Sequence, residues 1–483
     1  MLEAVIVGGG LSGIAAARAL RLAGVDDYVL IEKSDGLGGT WHHNTYPGCA
    51  CDVPSALYCF TFKPYRWSRF FAPQAEIKQY LLEVAAEHDV QRHVRFGTEL
   101  VGAAWDDAEQ YWEVDTSGGR LVARHLILAV GFLHAATVPN IPGLAEFPGP
   151  TFHSSRWPEG YDGSGERVAV IGTGASAIQI VPQLQQRAAH LTVFQRTPGW
   201  VIPKIDIVHS ERWRRWSTRF PALSILLQRS LWAVSEIVLQ AIFRVRLARL
   251  LGAVARRNLE KSVADPELRA KLTPDYEFGC KRYLLSADWY STLVQPNVTF
   301  VPSAVTKVEG RTLVAVDGSR HEVDTIVLST GFDFGVGPVA HLVRGRDGLT
   351  LAETWKGSPR AYLGTHPSGF PNLSVIAGPN AGTVSGFIGA EAQANYLREM
   401  ILAMRREGVT SIDALPEAEA RFKAKADHLM AHSVHNAGGC VNFYLDENGC
   451  NKALWPGTMF GMWRRLQRFD LSDYRTRRGE NLR

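Results

Sequence analysis

Two strand–glycine-turn–helix patterns and one apolar, arginine-rich stretch predict an α/β fold with two Rossmann-type dinucleotide-binding domains and a helical insertion. The first pattern opens the chain, the second begins at Arg167, and the arginine-rich stretch runs from Lys204 to Lys261. At 483 residues the chain has room for about three domain-sized units.

Leu2-Glu3-Ala4-Val5-Ile6-Val7 reads as a buried parallel strand running into Gly8-Gly9-Gly10-Leu11-Ser12-Gly13 and an alanine- and leucine-rich helix. In this context G-x-G-x-x-G has a mechanical meaning. Gly8 makes the tight turn, Gly10 lets a pyrophosphate approach the backbone, and Gly13 lets helix and strand pack closely. The phosphates then meet the unpaired N–H groups of the helix start, Ser12 among its first residues. A second strand, Tyr28 to Ile31, ends in Glu32. A carboxylate there accepts from ribose hydroxyls and repels a 2′-phosphate.

The pattern recurs as Arg167 to Ile171, then Gly172-Thr173-Gly174-Ala175-Ser176-Ala177 and a helix carrying Gln179. Alanine at the third glycine position is a tolerated variant. Twenty-four residues separate Gly8 from Glu32 and also Gly172 from Arg196, so a guanidinium stands where the first unit has a carboxylate. Arg196 and Thr197 suit a 2′-phosphate. The first site therefore expects FAD or NAD, and the second expects NADPH. Strands ending at Gly131 and Gly331 resemble each other and mark where the chain crosses between units. The expected division is 1–150 for the first part of the FAD domain and 151–325 for the NADPH domain, with its helical insert at about 205–260. Residues 326–483 return to the FAD domain and the substrate site.

Composition narrows the function. Lys and Arg exceed Asp and Glu by four, which argues against a nucleic-acid partner. Six cysteines, with no C-x-x-C pair, suggest neither a disulfide scaffold nor a metal site. No basic-then-apolar leader precedes Gly8, and the longest apolar run, Ser230 to Phe243, contains Glu236 and falls short of the ~20 residues that span a bilayer. The expectation is a soluble, cytoplasmic chain. The stretch from Lys204 to Lys261 carries twelve basic and four acidic residues, an excess suited to a solvated helical face or to weak peripheral contact with a membrane. The oligomeric state is open.

Between the two turns, Phe147-Pro148-Gly149-Pro150-Thr151-Phe152-His153-Ser154-Ser155-Arg156-Trp157-Pro158 fits F-x-G-x-x-x-H-x-x-x-W-[P/D]. The segment Gly39-Thr40-Trp41-His42-His43-Asn44-Thr45-Tyr46-Pro47-Gly48-Cys49-Ala50-Cys51-Asp52 fits G-x-W-x-x-x-x-[F/Y]-P-G-x-x-x-D. With both fingerprints in order, the chain resembles the type I Baeyer–Villiger monooxygenases, of the flavin-dependent monooxygenase family, nearly end to end.

The resemblance implies FAD and NADPH as cofactors, O2 as co-substrate, and insertion of oxygen beside a ketone carbonyl through a flavin peroxide, giving an ester or lactone. It matches Arg282 to the catalytic arginine, Asp52 to the carboxylate that orients it, and Lys281 to the lysine on the NADP 2′-phosphate. It places Thr40, Trp41, Cys51, Asp52 and Tyr58 about the flavin. His153, in the connection between domains, is expected to hold the hinge rather than to act as a base. Oxidation of sulfides or amines, as in the related flavin-containing monooxygenases, is an alternative that Trp157 disfavours. A non-oxygenating FAD/NADPH-binding protein is another, and it has no chemical need for Asp52, Lys281 and Arg282 together. A dithiol relay is disfavoured because Cys49 and Cys51 stand only one residue apart. Asn442 and Phe443 depart from the Ser-Trp usual before the tyrosine in this branch, which leaves substrate identity open.

Overall fold

The computed structural model describes residues 1–333 and 337–478. Strand β1 (Leu2–Val7), helix α1 (Leu11–Leu22) and strand β2 (Tyr28–Ile31) form the opening βαβ unit. β1 and β2 pair in parallel, Ala4 opposite Tyr28 and Val7 opposite Ile31. Their apolar runs leave Ile6 and Leu30 fully buried, as strands covered on both faces require.

β1 lies inside an eight-stranded sheet. On its other side the long strand Gly119–Leu128 pairs in parallel with it and antiparallel with Tyr111–Thr116. Leu373–Val375 also joins Gly119–Leu128 in parallel, so the C-terminal third returns to the sheet that residue 2 begins. The helix Gly386–Glu407 then packs on α1, whose alanines at 15, 16, 17 and 19 allow a close approach.

The second sheet has five parallel strands in the order Val298–Val301, His190–Phe194, Arg167–Ile171, Thr325–Leu328 and Thr151–His153. Val168, Ala169 and Val170 at its centre are fully buried. Thr325–Leu328 belongs to this sheet, which therefore reaches past the division expected at 325.

Two linkers join the sheets, and they are bonded to each other. Ala135–Ala136 on the outgoing linker pairs antiparallel with Phe332–Asp333 on the returning one. Thr137 N donates to Gly331 O at 2.9 Å. The His153 ring sits at the same place. Its Nδ1 accepts from Ser155 N at 3.2 Å, which leaves Nε2 to donate to Gly331 O at 3.1 Å. Burial holds this imidazole below its usual range, a setting for a neutral structural histidine.

The arginine-rich stretch folds as three helices, Glu211–Arg219, Pro221–Phe243 and Val245–Ser262. Among the described residues no helix is long and apolar enough to cross a membrane.

Candidate active site

The two glycine turns have the same build. Gly8 and Gly172 hold φ of +105° and +106°, and a Cβ there would stand 2.7 Å from Ala129 O and 2.3 Å from Ser329 O. Each turn is therefore pressed against the strand by which the chain leaves the sheet. A Cβ on Gly13 would meet Gly8 O at 1.9 Å. Gly10 and Gly174 differ from these. A Cβ on Gly10 would make only ordinary contact, Gly39 Cα at 3.5 Å, and one on Gly174 would meet nothing within 4 Å. Protein packing does not demand glycine at either position, whereas a pyrophosphate against the backbone does. Neither following helix has a side-chain cap or an acid in its first turn, so both helix starts keep N–H groups for an anion. Ser12, Thr173 and Ser176 lie in these segments. The residues present fit two dinucleotides.

Glu32 is buried and already bonded. Gly9 N donates to Oε2 at 2.6 Å, and Ser34 donates to Oε1 through both N and Oγ at 2.8 Å. Ser34 Oγ also meets His43 Nε2 at 2.9 Å, a link no local pattern announced. The carboxylate is thus fixed beside the turn.

The segment 39–58 forms the floor between the units. Thr40 begins a short helix, and the buried Trp41 ring meets Tyr58 edge-on at 5.4 Å. Tyr58 in turn packs on Phe387 at 4.8 Å. Gln179, in the helix Ala177–Gln185, clasps this floor. Its Nε2 donates to Ala50 O at 3.1 Å, and its Oε1 accepts from Tyr46 OH at 3.2 Å. Gly48 explains part of the second fingerprint. Its φ is +82°, and a Cβ would lie 2.8 Å from Gln179 O. The Cys51 thiol points the other way, donating to Val53 O at 3.2 Å, and burial pushes it up to about 12. Its side chain serves the core, and its backbone N donates to Ala72 O at 3.0 Å.

Arg282 and Asp52, 230 residues apart, form a two-point ion pair: Nε donates to Oδ2 at 3.0 Å and Nη2 to Oδ1 at 2.6 Å. The side chains are 47% and 31% exposed, so the pair is open to solvent on one side. The Asp52 charge, opposed by desolvation, holds the guanidinium above its usual range. Tyr444 and Tyr283 act on the same pair, and burial holds both phenols above their usual range. Neither tyrosine was picked out from the sequence. Asn442 turns the chain into Tyr444 by accepting from its N at 2.9 Å and donating to His435 O at 2.8 Å.

Lys281 and Arg196 act on each other. Burial first, and then the positive Arg196, hold the Lys281 ammonium below its usual range. Arg196 is exposed and has no carboxylate partner among the described residues, and Thr197 stands half-buried beside it. Neither cation has an ion-pair carboxylate among the described residues, Asp275 being the smallest influence on Lys281, and two such cations suit a dianionic phosphate. Next to Lys281, Cys280 is bridged to Cys440, a pairing across 160 residues that the cysteine spacing did not suggest.

The profile of the flavin-binding monooxygenase-like family matches residues 3–340. A Baeyer–Villiger monooxygenase of Streptomyces coelicolor is 44% identical over 478 residues, covering 98% of this chain and 92% of that one. A Baeyer–Villiger monooxygenase of Pseudomonas aeruginosa is 38% identical, covering 97% and 90%. Among solved structures, OTEMO in complex with FAD and NADP superposes with a TM-score of 0.89 at 26% identity, covering 99% of both chains. Closed cyclohexanone monooxygenase superposes with 0.87 at 29% identity, again covering 99% of both. The chain belongs to the flavin-binding monooxygenases, on their Baeyer–Villiger side.

Proposed function

We propose that this FAD- and NADPH-dependent Baeyer–Villiger monooxygenase takes a lipophilic ketone and inserts one oxygen of O2 beside its carbonyl, releasing an ester or lactone. The observation that carries the reading is the two-point Arg282–Asp52 ion pair, a fixed and partly exposed cation held by a carboxylate 230 residues away in the chain. Bound FAD, once reduced by NADPH, supplies the activation of O2. The protein's part is electrostatic. Arg282 presents a cation that cannot be neutralised, where negative charge grows on the carbonyl oxygen under attack. Asp52 fixes that guanidinium in one orientation and keeps it charged. Trp41 and Tyr58 exclude water from the same floor.

Gly8, Gly10, Ser12, Gly13 and Glu32 would hold the adenosine half of FAD, and Thr40, Asp52 and the Cys51 backbone its other half. Gly172, Thr173, Gly174 and Ser176 would take the NADPH pyrophosphate, with Arg196, Thr197 and Lys281 on the 2′-phosphate. Gln179 would sit between the two cofactors. On this reading residues 1–150 and 326–483 form the FAD domain, residues 151–325 form most of the NADPH domain, and the enzyme works in the cytoplasm. A relative of known structure carries ε-caprolactone, a cyclic ester, which supports a lactone product.

The test is NADPH consumption by the FAD-loaded protein across cyclic and linear ketones, sulfides and amines, with products identified. Ketone-dependent consumption matched by ester supports the proposal. Sulfoxide or N-oxide without ester would favour heteroatom oxidation, and no stimulation by any compound would favour a binding protein.

A further inference from the structure

The helices Pro221–Phe243 and Val245–Ser262 each have one face on the protein and, among the described residues, an exposed face opposite it. Inward, Gln228 is buried against Cys59, and Glu236 accepts from Met459 N at 2.9 Å. In Val245–Ser262 the buried stripe is Ala248, Gly252, Ala255 and Leu259, with Gly252 against Phe278. Phe278 shares an apolar cluster with Trp200 and Cys280, beside the Arg282 loop. The insert thus roofs the region of the candidate active site.

Outward, the pattern inverts. Leu226, Val234 and Ile237 fall on one face of Pro221–Phe243 and are 60%, 56% and 70% exposed. Leu247, Leu250 and Val254 do the same on Val245–Ser262, with Leu250 68% exposed. Arg246, Arg257 and Lys261, all exposed, flank this second stripe. Of the segment's four acids, Asp206 pairs with Arg69 at 3.0 Å and Glu236 accepts from Met459 N, while Glu211 and Glu260 are exposed and leave the basic residues in excess.

We infer that this outer face docks on an anionic lipid surface, lying flat with its leucines, isoleucine and valines in the headgroup–acyl boundary and its arginines on lipid phosphates. Charge decides among the possible occupants. A second copy would set two strongly basic faces against each other, whereas an anionic leaflet neutralises one. Polyanionic nucleic acid would leave the apolar stripes in water. Among the described residues no helix is long and apolar enough to span, and the inferred contact is peripheral. The inference does not depend on which ketone the enzyme takes.

The experiment is co-sedimentation of the FAD-loaded protein with phosphatidylglycerol-containing vesicles and with pure phosphatidylcholine vesicles at low salt. Binding should require the anionic lipid and weaken with salt. Each basic residue near such a surface is worth a factor of about five, so Arg246→Glu with Arg257→Glu should cut the partition constant at least about tenfold. Ile237→Ser with Leu250→Ser should cut it by a similar factor. Both double variants should keep full FAD content and turnover on a dissolved ketone. Protein that stays in the supernatant overturns the inference. So does binding that survives either pair, and so does a dimer in solution that these substitutions dissolve while vesicle binding is absent.

Discussion

Arg282 is the residue whose loss tells most. Arg282→Ala should leave FAD bound and lower ester formation at least about a hundredfold, the scale of a lost oxyanion stabiliser. Product assay beside the flavin absorbance checks both halves. Arg196→Ala should raise the NADPH Michaelis constant roughly ten- to hundredfold and leave NADH untouched, as expected for one lost charge-assisted contact of about 1.5–3 kcal/mol. Lys281 adds a pH dependence. In the proposed role it would hold a phosphate only while charged, and its pKa lies below the usual lysine range. As pH rises, that charge is lost early, so the NADPH Michaelis constant should climb on the alkaline side while that for NADH stays flat. Arg196→Ala removes one of the two causes and should move the climb to higher pH. Much at this scale was legible in the sequence. Glu32 and Arg196 sit at equal distances from equivalent glycines, so a local count suffices. Arg282 and Asp52 are 230 residues apart, and only their resemblance to known fingerprints joined them. Tyr283 carries no such mark, and Tyr444 was marked only as the tyrosine that follows Asn442 and Phe443.

The turns separate two jobs that look alike in sequence. Gly174→Ala should leave thermal stability within about 0.5 kcal/mol of the parent, because its Cβ meets no protein atom within 4 Å. The same change should weaken NADPH and NADH alike, since both carry the pyrophosphate. Gly13→Ala should fail to fold or to take up FAD, its Cβ falling 1.9 Å from Gly8 O. Thermal melts beside cofactor titrations distinguish the cases. The motif located all these glycines, and the structure shows which of them face the protein and which face open space. Gly48 is a third kind, shaped by the helix that carries Gln179. That contact joins two segments about 130 residues apart, and nothing local to either foretells it.

Over the whole molecule, the two expected dinucleotide-type sheets are present, and the cysteines add a long-range tie that was not foreseen. Six sparse cysteines suggested no disulfide scaffold, yet Cys280 and Cys440 are close enough to bridge because the Arg282 loop and the segment before Tyr444 fold against each other. Non-reducing peptide mapping should recover that bridge, and dithiothreitol should lower stability by about 2–4 kcal/mol. Equal stability of Cys440→Ser and the parent without reductant would show that the thiols stay apart in solution. The ribbon of Ala135–Ala136 with Phe332–Asp333 bears on motion. Two separate strings would let one half of the molecule slide, tilt and twist against the other. Strings laced side by side, and latched by His153 to Gly331, would behave as the spine of a book. The covers would then open or close about that spine, and a single angle would set the gap between the two cofactors.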